Sequence, residues 1–177
     1  MPAAQRYRGV LYQELDIETL AAPARRRLDR SLLTVSGLWG AVAPTDPIPY
    51  YKLKMSASVD PLGKLSTWWR PQLTSALAPR IDGGVVWDLL PIEHAAALDW
   101  TSLAPHQRVT VRFEDARGKT ISHWNKLLKG SLVRWLVGRA GVCVEDLDRF
   151  EHPQGYRLDP AATTRDGVHT SVVMRSG

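Results

Sequence analysis

The chain has 177 residues, 44% of them hydrophobic, so its composition is that of a folded globular protein rather than a disordered chain. It contains no run of about 18 apolar residues, which argues against a transmembrane span, and its first ten residues lack the apolar core of a secretory signal. The net charge of +5 favours an anionic partner, either nucleic acid or a phosphorylated ligand, without specifying which.

Cysteine and tryptophan usage adds two further expectations. The single cysteine, Cys143, lies between two valines, which predicts a small buried side chain and excludes an internal disulfide. A chain without disulfides suits a reducing, cytoplasmic compartment. Most of the seven tryptophans are expected to fill the core, with a few on stacking surfaces.

The first thirty residues are predicted to form a short entry followed by helices. Residues 6–12 have the pattern of a turn or an extended segment. Asp16 is placed to cap one helix and Pro23 to begin another. Consecutive arginines at 25–27 point in three directions around a helix, so a solvated face and a phosphate-contacting patch both remain open.

Residues 32–55, LLTVSGLWGAVAPTDPIPYYKLKM, are the most informative stretch. An apolar run at 32–35 predicts a buried strand, and Gly37 and Gly40 allow tight turns or a close backbone approach. Three prolines between residues 44 and 49 exclude a helix or a central strand. We therefore expect an ordered loop that leaves the end of a strand. Such loops often form binding sites in α/β folds, and a purely structural crossover is the alternative.

The middle of the chain is predicted to contain one long helix and one buried inner strand. Residues 61–79 carry apolar side chains at every fourth position, the spacing of one helix face, and Pro71 is expected to start or kink that helix. The apolar run at 85–90 predicts the strand. Glu93 follows it and is a candidate site residue, the alternative being an ordinary acid in the first turn of a helix.

The last third is predicted to contain strands and helices in alternation. Alternating residues at 108–113, a turn and residues 119–124 indicate a strand pair. Asn125 is then expected to cap a helix that runs to about residue 138. A short acidic helix and two closing strands follow, at residues 145–150, 155–158 and 168–175. Together these patterns predict an α/β (mixed α+β) fold, a single domain over residues 1–177 with a mixed sheet flanked by helices.

The predicted helix after residue 125 has a basic side. Lys126, Lys129 and Arg134 lie on the side opposite its leucines. Gly130 in the helix interior costs about 1 kcal/mol relative to alanine, so we expect a close backbone approach at this position. A solvated helix face is the alternative to an anion-binding surface.

The stretch SGLWG followed by P-x-D-x-I-x-x-Y-K-L-x-M resembles the signature of the YaaA family of bacterial peroxide-stress proteins. The matching positions include Ser36, Gly37, Asp46 and Tyr51. Trp39 and Lys52 are near matches, with residues similar to those of the pattern. Ala43 stands where the family has an arginine. The basic helix is similar to the family's K-K-A-R-G-x-x-x-R, with Lys126, Gly130 and Arg134 matching. Lys129 replaces an arginine, which keeps the charge and loses the bidentate fork.

The resemblance runs from about residue 7 to residue 175 and implies a YaaA-like fold that lacks the family's N-terminal part, including an S-P-A-K motif. It also implies a cytosolic stress protein that limits iron-driven oxidative damage and binds duplex DNA in a positive cleft, without a cofactor. On this hypothesis Lys52, Lys126, Lys129 and Arg134 contact phosphates. Loss of an N-terminal strand would leave an open sheet edge, which favours a homodimer.

The alternative is a small-molecule enzyme recruited to a biosynthetic pathway. A polar loop with Ser36, Asp46, Tyr51 and Lys52, together with Lys126, would bind a phosphorylated or carboxylated substrate. Gly37 and Glu93 are further candidates for the ligand loop. No base is indicated beside Ser36, so an activated serine is not predicted. The histidines lack the spacing of metal ligands; they are His94, His106, His123, His152 and His169. A remnant without activity is a third hypothesis.

Overall fold

The computed structural model of the chain describes residues 1–120 and 122–176. It has two compact units, one formed by Met1–Arg6 and Leu32–Arg108 and the other by Tyr7–Ser31 and Val109–Gly177. The architecture is mixed α/β with a five-stranded sheet, which confirms the predicted fold class. A single domain over residues 1–177 stays a prediction.

The first unit contains a β-hairpin followed by a proline-rich loop. Strand β1 (Thr34–Ser36) pairs antiparallel with β2 (Gly40–Val42), and Thr34 lies opposite Val42. The strand predicted at 32–35 therefore exists two residues later, and its hairpin partner was not predicted. The prolines lie in irregular structure, as expected, with one bridge between Pro47 and Pro2 beside helix α1 (Ala3–Arg6).

Helix α4 (Leu65–Ile81) confirms the predicted helix of this unit. Pro71 lies inside α4 and does not begin it, contrary to one of the two expectations for that residue. Short strands β3 (Ser58–Val59) and β4 (Gly63–Lys64) pair just before it. The apolar face of α4 packs with Met55 in the core, through Leu65, Leu73, Leu77 and Ile81.

Strand β5 (Val85–Asp88) and helix α5 (Ile92–Ala95) complete the first unit. The predicted strand at 85–90 is therefore confirmed, but β5 stands first in the strand order of the described residues rather than in an inner position. Gln107, at the start of β6 (Gln107–Glu114), donates its amide to the carbonyl of Gly84 at 3.2 Å.

The second unit combines helices with most of the sheet. Helices α2 (Val10–Leu15) and α3 (Ala22–Ser31) contact α6 (Ser122–Val137). Strand β9 (His169–Ser176) lies between β6 and β7 (Tyr156–Leu158), and β8 (Thr164–Asp166) also pairs with β9. Val109, Leu128, Leu132, Val172 and Met174 are fully buried in this unit.

Three predictions for the second unit were wrong. Residues 10–15 are helical rather than extended. The return strand expected at 119–124 is reduced to one bridge between Glu114 and Thr120, because α6 already begins at Ser122; Ile121 lies outside the described residues. Asn125 therefore lies inside α6, where its side-chain amide donates to the carbonyl of Phe113 at 3.2 Å instead of capping the helix.

Cys143 and the tryptophans are less buried than their sequence context suggests. Cys143 is exposed and precedes a 3-10 helix, Val144–Arg149, whose Asp146 accepts a hydrogen bond from the thiol. That hydrogen bond raises the pKa of the Cys143 thiol, which disfavours a reactive thiolate. None of the tryptophans, all within the described residues, is fully buried, and Trp39 is 43% exposed. Across residues 1–120 and 122–176, no helix is long and apolar enough to cross a bilayer.

Candidate functional site

The tip of the β1–β2 hairpin is held together by the hydroxyl of Ser36. Its Oγ lies 2.6 Å from the Tyr51 hydroxyl and accepts the backbone amides of Leu38 and Trp39 at 3.2 and 3.1 Å. Ser36 is only 2% exposed. The side chain therefore caps the turn and ties it to the following loop. A nucleophilic role would require a hydroxyl that a substrate can reach.

Gly37 and Gly40 are required by close neighbours. A Cβ on Gly37 would lie 3.0 Å from the carbonyl oxygen of Leu53, so the turn rests directly on the 53–54 backbone. Gly40 has a φ of +74°, and a Cβ there would lie 2.7 Å from the indole ring of Trp69. The same indole donates its Nε1–H to the carbonyl of Gly37 at 2.9 Å. The predicted close backbone approach at both glycines is present.

Asp46 organises the proline-rich loop. Its Oδ2 accepts the backbone amide of Ala43 at 2.7 Å, and its own carbonyl accepts the amide of Ala3 at 2.8 Å. The carboxylate thus closes a turn between two prolines, a position that suits aspartate because its oxygen can replace a backbone acceptor.

The signature stretch also displays cations and a tyrosine to solvent. Lys52 and Lys54 are exposed, and Tyr50 is 77% exposed. The residues between them, Tyr51 and Leu53, carry the contacts to the hairpin described above. Lys52 and Lys54 are therefore accessible to an anion in solvent.

An open cleft of about 500 Å³ lies between the hairpin and α4 within the first unit. Its apolar floor is formed by Leu33, Leu73 and Leu77, and its walls include the two indoles of Trp39 and Trp69. Asp46, Gln72 and Arg80 supply the polar groups of its lining. Trp69, Gln72 and Arg80 were not predicted as site residues, although steps of three, four and four residues from Trp69 through Gln72 and Ala76 to Arg80 place them on one face of α4.

Glu93 is not at a concave site. It is exposed in the first turn of α5, and its Oε1 lies 3.7 Å from Nδ1 of His94. Burial lowers the pKa of His94, while the charge of Glu93 acts in the opposite direction. This geometry is that of the ordinary first-turn acid, which was the alternative interpretation of Glu93.

In the second unit, Gly130 marks the crossing of α2 over α6. A Cβ on Gly130 would lie 2.2 Å from the carbonyl oxygen of Leu11, so only glycine allows this approach. Ser131, next to it, donates to Oε1 of Glu14 on α2 at 2.8 Å. The close backbone approach predicted from the sequence is thus confirmed.

Arg134 binds the C-terminal end of α2. Its Nη1 donates to the carbonyl oxygens of Leu15 and Asp16, both at 2.9 Å. The Asp16 carbonyl also accepts the backbone amide of Thr19 at 3.1 Å, and a guanidinium at this end of α2 complements the helix dipole. Arg134 therefore positions α2, one turn of α6 beyond the contact at Gly130.

Lys126 and Lys129 are the remaining predicted cations of α6. Lys126 is exposed and Lys129 is half-buried. Helix α6 contains no acidic residue. Sixteen of the 23 lysines and arginines, but only twelve of the 18 acidic residues, belong to the second unit, which therefore holds four of the five net positive charges.

No cluster of three or more His, Cys, Asp or Glu in the part of the chain that the structure describes could hold a metal ion. The side chain of His123 lies outside that part. His169 Nε2 lies 2.9 Å from the hydroxyl of Thr110, and His152 Nε2 lies 3.9 Å from Glu14, so both have structural neighbours.

Comparison with known proteins gives one consistent family. The family model described as "Peroxide stress protein YaaA" matches residues 1–162. A UPF0246 protein of Streptomyces coelicolor is 38% identical over 169 residues, which cover 94% of this chain and 65% of the relative. UPF0246 proteins of Dinoroseobacter shibae and Lactiplantibacillus plantarum are 31% and 29% identical, and 63% and 66% of their lengths are covered. The chain thus spans just under two thirds of the length of these relatives.

Proposed function

The chain belongs to the peroxide stress protein YaaA family, and from this membership we propose that it acts in the cytosol during peroxide stress by binding duplex DNA and limiting iron-driven damage to it. The observation that carries the proposal is the acid-free helix α6, which presents Lys126 to solvent in the more basic unit. Such a surface suits the phosphate backbone, whose recognition is electrostatic and tolerant of sequence.

The proposed contacts are Lys126 and Lys129 on α6 and Lys52 on the signature loop. Arg134 has a different role in the proposal, because its Nη1 already donates to two carbonyls of the α2 end. It holds α2 against α6 and so fixes the helix that carries the lysines. A homodimer remains a prediction that an oligomeric-state measurement would address.

The direct test is fluorescence anisotropy of a labelled duplex at 50 and 200 mM salt. Affinity is expected to fall roughly tenfold or more over this range, as it does when a few phosphates are contacted. A Lys126→Ala/Lys129→Ala variant should bind more weakly and lower the slope of log affinity against log salt by about two.

A Lys64→Ala/Arg157→Ala variant is the matched control, because it removes the same charge at two exposed positions outside α6. If both double variants lose affinity equally, net charge rather than α6 explains the binding. If the folded wild type does not bind the duplex at either salt concentration, the proposal fails.

Protection against iron can be tested on the same variants. Supercoiled plasmid is treated with ferrous iron and hydrogen peroxide, and nicking is followed on a gel. We expect the wild type to reduce nicking and the Lys126→Ala/Lys129→Ala variant to protect less, because protection would require residence on the DNA. Equal protection by both proteins would separate the iron effect from DNA binding.

A second candidate function is binding of an anionic small molecule at the Ser36–Met55 stretch, as an enzyme would require. The exposed side chains of Lys52 and Lys54 on this stretch favour it. This candidate would be supported if the folded protein does not bind DNA and its melting temperature rises saturably with inorganic phosphate. Lys52→Ala should then reduce the shift.

A further inference from the structure

The cleft of the first unit is built by two regular faces. Helix α4 contributes residues at spacings of three and four, including Trp69, Ala76 and Arg80, and the hairpin and the residue after it contribute alternate residues, including Ala41 and Ala43. The cleft therefore follows from the fold of this unit and does not depend on a loose loop. Its volume of about 500 Å³ lies within the range of roughly 300–1,000 Å³ that is usual for small-molecule sites.

Alanines keep this cleft open. Ala41, Ala43 and Ala76 line it at positions where a larger apolar side chain would fill the space between the hairpin and the helix. Beneath them, Leu73 and Leu77 are 4% and 8% exposed and belong to the core. The cleft is thus an open groove above a buried apolar floor.

The two indoles differ in how they are held. Trp69 is fixed by its hydrogen bond to the Gly37 carbonyl and by its ring contact with Gly40. Trp39 has a fixed backbone, since its amide donates to Ser36, but 43% of the residue remains exposed. An indole that lines a cleft and stays open offers a stacking surface for a planar ring.

The polar lining of the cleft is balanced in charge. It contains one acid, Asp46, one base, Arg80, and one amide, Gln72. The Asp46 carboxylate is oriented by the amide of Ala43 at 2.7 Å, and a carboxylate has acceptor capacity beyond one hydrogen bond. Such a lining suits an uncharged ring with donors and acceptors along its edge better than it suits a phosphate.

We propose that this cleft binds a purine base or nucleoside, stacked on Trp39, with amino and imino donors of the ring directed at Asp46. Guanine is the best fit, because its N1–H and N2–H₂ donors lie side by side for a carboxylate, whereas its O6 and N7 acceptors suit Arg80. The site goes beyond both candidate functions above, since it recognises an uncharged ring and does not involve α6.

Isothermal titration calorimetry with guanosine, adenosine, ribose and inorganic phosphate tests the proposal on the full chain. Guanosine is expected to bind saturably and more tightly than adenosine, and ribose and phosphate are expected not to bind. Trp39→Ala should weaken guanosine binding roughly tenfold, the usual effect of losing one base–aromatic stack.

Variants with larger side chains test whether guanosine binds in this cleft or at another surface. Ala76→Leu fills the cleft and should abolish guanosine binding, while Ser75→Leu, the matched control one position along α4, places the same side chain outside the lining. Ala43→Arg should also block binding. This variant introduces the arginine that the family pattern has at this position. Circular dichroism confirms that each variant is folded.

Guanosine binding that is lost in Ala76→Leu and kept in Ser75→Leu establishes the site. Absence of nucleoside binding, binding of phosphate alone, or binding that Ala76→Leu leaves unchanged overturns it. The Lys126→Ala/Lys129→Ala variant should bind guanosine like the wild type, so failure of the DNA-binding proposal and failure of this one give different results.

Discussion

The hairpin of the first unit and helix α6 of the second both carry glycines of the family pattern, but for different physical reasons. In the hairpin, Gly40 combines a positive φ with a ring contact, so backbone conformation and packing act together. In α6, Gly130 has an ordinary helical conformation in which alanine is intrinsically better. There the requirement for glycine comes from packing alone, because a Cβ would lie 2.2 Å from the carbonyl oxygen of Leu11.

In both regions, polar side chains of the family pattern bind backbone groups of the protein itself rather than pointing at a ligand. Ser36, Asp46 and Arg134 all satisfy backbone groups, in a turn, a loop and a helix end respectively. The residues left to meet a partner are their neighbours, such as Lys52, Trp39 and Lys126, which are exposed or partly exposed. A pattern match therefore locates a site here mainly by fixing the backbone that displays it.

The largest expected effect is that of Gly130→Ala. Helix propensity alone predicts a gain of about 1 kcal/mol, but the added methyl group would force α2 away from α6, and we expect a net loss of about 2 kcal/mol or more in the free energy of unfolding. Urea denaturation followed by circular dichroism measures it. Gly9→Ala, in the same unit with open space around it, should change stability far less. A stabilised Gly130→Ala protein would contradict the packing argument.

The hairpin offers a sharper comparison, because Gly40 and Gly63 have nearly the same φ, +74° and +73°. Gly63→Ala introduces only the backbone penalty of a left-handed alanine, about 1 kcal/mol. Gly40→Ala adds the collision with Trp69, so we expect about 1 kcal/mol more destabilisation than for Gly63→Ala. Equal losses in urea denaturation would mean that Trp69 moves aside without cost.

How far the sequence predicts this fold depends on the range of the interactions. Helices α4 and α6 were predictable because their apolar periodicity is long and local. Helix α2 was not, because six residues carry little periodicity and its stability comes from the contact with α6 at Gly130. Asn125 was misplaced as a cap, since its amide is used by the carbonyl of Phe113, a distant residue in sequence.

In the candidate site, too, local features could be predicted from the sequence and long-range contacts could not. The signature residues from Ser36 to Tyr51 were identified in the sequence, because they lie within one stretch and match a family pattern. The cleft was not, since it arises only when one face of α4 comes to lie opposite the hairpin. Trp69 packs against the core, as was expected of most tryptophans, and its indole also joins the hairpin turn to the helix.

The hydrogen bonds of the hairpin tip are also expected to contribute to the free energy of unfolding. Ser36→Ala removes the acceptor of two backbone amides and the hydrogen-bond partner of the Tyr51 hydroxyl, and we expect a loss of about 2 kcal/mol. Tyr51→Phe removes only one of these hydrogen bonds and should cost about 1 kcal/mol. A double-mutant cycle in urea should then give a coupling of roughly 1 kcal/mol. Additive losses would show that the 2.6 Å contact contributes little.

The smallest expected effect is a pH dependence shared by the two units. Burial lowers the pKa of His94 in the first unit and of His152 in the second, against the opposing charges of Glu93 and Glu14. Both imidazoles thus stay neutral in the folded protein to a lower pH than in the unfolded chain, which takes up protons below about pH 6.5. Stability should therefore fall as the pH is lowered from about 7.5 to about 5.5, a window above the carboxylate titrations.

His94→Gln and His152→Gln should each flatten the decline measured by urea denaturation. Because one histidine lies in each unit, the variant with the larger effect shows which unit limits stability in acid, and a decline that neither variant changes would assign the effect to other groups.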